Sequence, residues 1–239
     1  MTIKPAHSQY LRISEQLATD IGAGQWLAGE RFPTEREMAE RFGCTRVTLR
    51  QALQRLEAQG TLYRGHRRGW FVSPTPIRYD PTRITGFMEY VSAQGREPRT
   101  ECLCAERRAA DAWLAARMNL REGDGVFYLQ RRRWVDSRPV LLETNVLRED
   151  WCPDLLSHPL DGSLTTLLRE HYARQQARSQ INIKPCLLDD GQSELLEIAS
   201  GSSGLYLERL CFDDEGRAVE FDLEYWRPDA VQVSLAVDR

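Results

Sequence analysis

Pro33-Thr34-Glu35-Arg36-Glu37-Met38-Ala39, then Gly43-Cys44-Thr45-Arg46-Val47-Thr48-Leu49-Arg50-Gln51-Ala52-Leu53, then Arg64-Gly65-His66-Arg67-Arg68-Gly69-Trp70-Phe71-Val72 are the phrases that decide the fold. Thr34 with Glu37 three residues on is a capping box, each side chain satisfying a free amide at the start of a helix. Met38, Ala39 and Phe42 give that helix a buried stripe. Gly43 stands where a left-handed residue ends it. Thr45 caps the next helix, whose inner face is Leu49, Ala52, Leu53 and Leu56. Thr61-Leu62-Tyr63 and Trp70-Phe71-Val72 are short β-prone runs around a turn holding three arginines and His66. Upstream, Tyr10, Ile13, Leu17 and Ile21 recur at helical spacing, and Gly22, Gly24 and Gly29 stop that first helix. Three helices followed by a basic hairpin, in this order, predict a winged helix-turn-helix.

The outer face of the third helix presents Arg46, Thr48, Arg50 and Gln51 near its N-terminal end. Such residues suit the major groove, the only groove that distinguishes all four base pairs. The N-terminal amides of the helix, capped by Thr45, also favour a phosphate. The hairpin suits the minor groove, where arginine is attracted by a narrowed A·T-rich segment. The candidate DNA contacts are Arg36, Thr45, Arg46, Thr48, Arg50, Gln51, Arg67, Arg68 and Gly69. Between Arg41 and Val72 there are seven arginines and one acidic residue, Glu57. The chain as a whole has 32 basic and 35 acidic residues. A local positive field is enough to attract phosphates. The rest of the chain is acidic overall and has no need to touch nucleic acid.

The length of 239 residues suits two modest domains. Six scattered cysteines, Cys44, Cys102, Cys104, Cys152, Cys186 and Cys211, read as reduced thiols of a cytoplasmic protein. Cys102 and Cys104 form a C-x-C that a regular strand would turn to one face. No second Cys or His pair stands at metal spacing, so no metal site is expected. There is no signal peptide and no run of apolar residues long enough to span a membrane.

Ser73-Pro74-Thr75-Pro76 is a proline-punctuated break that cannot continue a strand ladder. The expected organisation is a DNA-binding domain over 1–73, a linker over 74–81 and a second domain over 82–239. In the second, residues 126–134, 139–146, 205–212 and 219–225 read as strands. Residues 109–118, 164–172 and 193–198 read as helices. Tight turns at 135–138 and 213–216 predict antiparallel pairing, hence an α+β domain. It shows no catalytic constellation: the four histidines, His7, His66, His158 and His171, lie near no nucleophile motif, and no glycine-rich loop follows a strand. Arg131-Arg132-Arg133 stands out, because Arg131 and Arg133 share one strand face. On an inner face that pair is costly unless an anion meets it; the alternative is an exposed basic strand.

The run from Phe32 to Ala39 with that from Thr45 to Leu53 resembles the DNA-binding signature of the GntR family of bacterial transcription regulators. The resemblance implies operator contacts by Arg36, Arg46, Thr48 and Arg50, with Gly69 in the wing. One departure is Arg67, where the family wing usually has glycine. Residues 125–143, Asp161-Gly162-Ser163-Leu164, and Glu220 with Arg227-Pro228-Asp229 resemble the UTRA effector domain of the HutC branch. That likeness spans residues 82–236. It implies a six-stranded antiparallel sheet related to chorismate lyase, used for binding and not for catalysis, with no cofactor. It also implies an effector pocket lined by Arg131, Arg133, Ser163, Thr165 and Glu220, with Glu143 close by. Thr85-Gly86-Phe87 matches the loop that closes over the ligand.

Arg67 to Val72, Asp80-Pro81-Thr82 and Glu224-Tyr225-Trp226-Arg227 are similar to regulators of 2-aminoethylphosphonate use. Such a ligand would meet arginines at its phosphonate. Glu143 or Glu220 would take its amine, and Trp226 would offer a cation–π face. The expected function is a homodimeric repressor released from double-stranded operator DNA by a small anionic effector. A sugar phosphate or a histidine-degradation intermediate is the alternative effector. A chorismate-lyase-type enzyme and an architectural DNA-binding protein are the competing functions.

Overall fold

A computed structural model describes residues 8–236, which divide into two compact units. The ends of the expected domains, residues 1–7 and 237–239, and His7 with them, lie outside the described residues. The first unit holds the described residues up to Pro76, together with Glu197–Ser200 and Pro228–Ala230.

It contains α1 (Gln9–Gly22), α2 (Glu35–Phe42), α3 (Arg46–Ala58), β1 (Leu62–Gly65) and β2 (Gly69–Val72). The capping box is formed: Thr34 Oγ1 accepts the Glu37 amide at 3.3 Å, and the Glu37 carboxylate accepts the Thr34 amide at 2.8 Å. Gly43 ends α2 at φ 57°, and the Thr45 side chain caps α3. The apolar stripes meet in one core of Leu17, Met38, Leu49, Leu53, Leu56 and Leu62, all essentially inaccessible. Each buried side chain of that kind stabilises by about 1.5–3 kcal/mol. β1 and β2 pair antiparallel from Leu62↔Val72 to Gly65↔Gly69. The segment before α2 braces β2 through Phe32 N to Trp70 O (2.8 Å) and Val72 N to Glu30 O (2.9 Å).

The second unit is built on six antiparallel strands in the order β4-β5-β6-β9-β8-β7. Its elements are β3 (Ile77–Tyr79), α4 (Phe87–Ser92), β4 (Pro98–Ala109), α5 (Ala112–Met118), β5 (Gly125–Val135), β6 (Arg138–Arg148), α6 (Leu164–His171), β7 (Arg178–Leu187), α7 (Asp190–Leu195), β8 (Ser203–Phe212), β9 (Ala218–Trp226) and β10 (Val231–Val233). Asp136 and Ser137 both have positive φ, 49° and 65°, as a twist-compatible two-residue hairpin turn between β5 and β6 requires. One face of the sheet packs Leu129, Leu147 and Cys211 against Leu164 and Leu168 of α6. The other packs Val126, Val146 and Phe221 against Leu114 and Met118 of α5.

Several expectations change. Ile77–Tyr79, placed in the linker, is a strand paired parallel with Val231–Val233, because Ile77 and Tyr79 are buried once the prolines end. The helix expected from Ala109 starts at Ala112, since Asp111 caps it through the Leu114 amide and Ala109 completes β4. The helix expected at 193–198 is Asp190–Leu195, opened by a capping box of Asp189 and Gln192. Strands β4 and β7 went unread. Both are sheet edges, with largely polar and exposed residues, and an edge strand needs no apolar alternation. The C-x-C does not share a face. A bulge sets Cys102 opposite Arg131 and Cys104 opposite Gln130, so the two thiols part. All six cysteines are free.

Candidate functional site

In the first unit, the N-terminal ends of α2 and α3 and the hairpin enclose a cleft of about 670 Å³, lined by Arg31, Arg46, Arg50, Arg64 and Arg67. Arg46 and Gln51 are exposed on the outer face of α3. Thr48 Oγ1 lies 2.9 Å from Thr45 Oγ1, so the two hydroxyls hold one another at the helix start. Arg50 is not free. Its guanidinium grips Glu35 (2.6 Å from NH2), which also accepts Trp70 Nε1 at 3.2 Å. Arg50 holds the Glu35 carboxyl below its usual range, so a guanidinium on the recognition helix is oriented from the preceding helix and from β2. Arg36 meets Glu40 at 3.1 Å across one helical turn, both of them exposed.

Within the same unit Arg68 pairs with Glu197 at 2.7 Å. Arg67 has φ 54°, a left-handed conformation that glycine adopts without cost; that is why glycine is usual there. Gly69 has φ 91°. Three residues beside the expected contacts were not among them. Val47 is 67 % exposed at the start of α3, an apolar side chain without a core to enter. Arg31 and Arg64 border the cleft from outside the helix. Val47 was legible as the one apolar residue on an otherwise polar face; Arg31 carried no periodic signal.

In the second unit, alternate residues of β5, β6, β8 and β9 converge on one face. The register sets Arg131 opposite Glu143 and Glu143 opposite Glu224. Arg131 and Arg133 share one strand face, and that face is buried. The anion that meets them is internal. Glu143 accepts Arg131 at 3.1 Å and Arg133 at 2.7 Å. Asn145 takes Arg131 Nε at 2.8 Å on its oxygen and donates to Glu143 at 3.0 Å and Asp222 at 2.6 Å. Thr100 Oγ1 accepts Arg133 at 2.6 Å. Gln176 donates to Glu220.

A cavity of about 60 Å³ opens here, room for about two waters. Thr85, Phe87, Arg131, Arg133, Glu143, Ser163, Thr165 and Glu220 all border it. Asn145, Gln176, Arg209, Asp222 and Glu224 border it too and went unread. Gln176 precedes β7 in irregular chain, where sequence offers no periodicity, but the even spacing of Glu220, Asp222 and Glu224 was visible. Ser163 doubles as the cap of α6, accepting the Thr166 amide at 3.2 Å. A Cβ on Gly86 would come within 2.7 Å of Ser163 Oγ, so any larger residue there would have to displace the hydroxyl that caps α6.

Trp226 does not border the cavity. It is buried, donates to Glu224 at 2.7 Å and stacks behind Tyr79 (5.7 Å) and Phe87 (6.4 Å). The rings that border the cavity are instead Tyr79, Phe87 and Tyr90. Arg133 already lies over Phe87 at 5.1 Å and Arg209 over Tyr79 at 5.8 Å.

Four carboxylates and three guanidiniums thus share one pocket, and their protonation diverges. Burial works to raise Glu143, but Arg133 and Arg131 together hold it at about 2. Burial and the neighbouring Arg133 bring Arg131 down to about 10, despite Glu143, so it stays charged at neutral pH. Burial pushes Glu224 up to about 7, with Arg209 opposing. Glu220 and Asp222 are raised by burial and by their carboxylate neighbours. The pocket is neither a simple anion hole nor a cation hole: Glu143 lies between Arg131 and Arg133, and Arg209 lies 3.7 Å from Glu224.

A basic helix-and-wing unit joined to a sheet unit with a buried charged pocket defines a DNA-binding regulator with an effector domain. The comparisons agree. The UTRA domain family matches residues 93–232, and the bacterial regulatory proteins of the gntR family match residues 9–72. The chain belongs to the UTRA-domain regulators of the GntR family and is a transcription regulator. It is 27 % identical over 92 % of its length to the HTH-type transcriptional regulator YihL of Escherichia coli, covering 94 % of that protein. It is 26 % identical over 96 % of its length to the transcriptional repressor NagR of Bacillus subtilis, covering 95 % of it. Among solved structures, PhnF of Mycobacterium smegmatis superposes with a TM-score of 0.67 at 26 % identity, over 94 % of this chain and 98 % of that one. These relatives are transcription regulators and not enzymes. Among the described residues, no helix is long and apolar enough to cross a membrane.

Proposed function

We propose that the protein is a cytoplasmic repressor, released from its operator by a small zwitterion that carries an oxyanion and an ammonium group. A phosphonate such as 2-aminoethylphosphonate is the leading candidate. The observation that carries this is one pocket lined by Arg131, Arg133 and Arg209 together with Glu143, Glu220, Asp222 and Glu224. An oxyanion competes with Glu143 for Arg131 and Arg133, accepting charge-assisted hydrogen bonds. An ammonium meets the carboxylates of Glu220, Asp222 and Glu224. Similarity of the wing and of β9 to regulators of 2-aminoethylphosphonate use supports the phosphonate.

The pocket must enlarge to admit such a ligand. The Thr85–Phe87 loop and the Glu143 side chain are the movable parts. Binding controls transcription only through a difference in affinity between two arrangements of the protein. Two copies on a pseudo-palindromic operator would add avidity, with pairing through the second unit. Arg46 and Arg50 read base edges, Val47 meets a thymine methyl, and Arg36, Thr45, Thr48, Gln51, Arg67, Arg68 and Gly69 position the phosphates and the wing.

Titration calorimetry of the protein with 2-aminoethylphosphonate, inorganic phosphate, sugar phosphates and imidazole acids, followed by operator release with each binder, tests the proposal. Binding of 2-aminoethylphosphonate that is lost in Arg133→Ala is the expected result. A neutral ligand as the only binder would refute it. A sugar phosphate as the only binder would retain the oxyanion contact and remove the ammonium contact.

A further inference from the structure

We propose that the second unit carries a zinc-type metal site formed by Asp154, His158 and His171, away from the effector pocket. One ligand atom of each lies within 4.8 Å of the others. Two histidines and a carboxylate suit Zn²⁺ and its neighbours in the transition series and do not suit Mg²⁺ or Ca²⁺, which prefer all-oxygen shells. Tetrahedral zinc with ligands at about 2.0–2.2 Å brings the ligand atoms to roughly 3.3 Å from one another. Rotation of exposed side chains closes that difference, since Asp154 and His171 are both exposed.

Sequence spacing hides the site, because the three residues come from two separate segments. Asp154 has φ 58°, and a short 3-10 turn over Leu155–Ser157 brings the chain back to place His158. His171 is the last residue of α6. The fold sets the two imidazoles edge to face, with centroids 4.1 Å apart.

Two further observations point to a ligand. His158 Nε2 is buried and has no hydrogen-bond partner, a loss that an ordinary packed histidine avoids. Tyr172 donates its hydroxyl to Asp154 Oδ1 at 3.1 Å and to Pro153 O at 2.8 Å. Outer-shell bonds of that kind orient a ligating carboxylate. The three protein ligands leave a fourth tetrahedral position for water. A metal there would clamp the C-terminal end of α6, whose opposite end presents Ser163 and Thr165 to the effector pocket.

The test uses full-length, chelator-stripped, reduced protein titrated calorimetrically with Zn²⁺, and with Co²⁺ followed by absorption. One equivalent of Zn²⁺ should bind, and Mg²⁺ and Ca²⁺ should not compete. His171→Ala should weaken binding at least tenfold; that residue is exposed, and circular dichroism verifies the fold. Tyr172→Phe, a positioning change, should weaken it by about tenfold while leaving the Co²⁺ spectrum unchanged in form. The Co²⁺ complex should lack a thiolate charge-transfer band. No saturable Zn²⁺ binding would overturn the proposal. So would binding that survives His171→Ala, or a thiolate band, since either places the metal on the free cysteines.

Discussion

The arginines of the two units follow opposite logic. Arg46 and Arg50 stand exposed on a helix face, where water screens them and an exposed ion pair contributes little to stability. Arg131 and Arg133 are buried, where a charge survives only with partners. On the outside, Arg46 stands open to a polyanion, and Arg50 is aimed by Glu35 while half of its side chain stays exposed. Arginine on the inside has recruited Glu143, Asn145 and Thr100, and an effector must compete with them. The first unit is therefore poised for binding as it stands, whereas the second must exchange an internal partner for an external one. That exchange is the means by which a small ligand could shift an equilibrium.

The largest expected effect tests the internal pairing. Glu143→Leu leaves two buried guanidiniums without their shared carboxylate and should cost about 3–5 kcal/mol of stability. Urea unfolding of the variant measures it, and added phosphate should recover part of the loss. A loss under about 1 kcal/mol would mean that water already reaches the arginines and that the two regions do not differ as described.

The buried carboxylates give a pH signature. Glu224 titrates near 7 in the folded protein, against an ordinary value of 4.5. Between those values the folded chain holds a proton that the unfolded chain has released, so stability falls as the pH rises from 4.5 to 7. The span is on the order of 3 kcal/mol for Glu224 alone, and Glu220 and Asp222 act in the same direction. Glu143, held at about 2, acts oppositely: its contribution is present above 4.5 and is lost as the pH falls toward 2. Thermal melts from pH 4 to 8 should show the decline, and Glu224→Gln should flatten it. An unchanged slope in the variant would remove Glu224 from the account.

On the outer side, Arg46→Ala should cost about 1–3 kcal/mol of operator affinity and relax base preference, with the fold unaffected. Glu35→Gln should mimic part of an Arg50→Ala loss, because it frees a guanidinium that the fold now aims. Gel-shift titrations against matched and mismatched sites separate the two. Full discrimination by both variants would show that the outer arginines merely hold phosphates.

The smallest effect concerns the wing. Arg67→Gly relieves a left-handed backbone but loosens the unfolded chain, so stability should change by less than about 1 kcal/mol. Operator affinity should fall together with its salt dependence as one phosphate or minor-groove contact is lost. An unchanged salt slope would place Arg67 outside the interface.

The sequence by itself determined the first unit almost completely. Caps, glycine stops and helical stripes are local signals, and Thr34, Gly43, Thr45 and the Leu49–Leu56 face are where those signals put them. It also determined that Arg131 and Arg133 share one strand face, since strand alternation requires nothing from afar, but burial of that face was decided by the sheet. Tertiary structure alone decided who meets them. Glu143 is within hairpin reach, but Asp222, Glu224 and Arg209 arrive through strands paired across long stretches of chain, and Gln176 through a loop without periodicity. It alone parted Cys102 from Cys104, because a bulge depends on the neighbouring strand. It alone turned Trp226 inward, behind Tyr79 and Phe87, and brought His158 to His171. Local geometry is written in residues three or four apart. Long-range pairing and charge neutralisation depend on which strands become neighbours, and only the folded sheet supplies that.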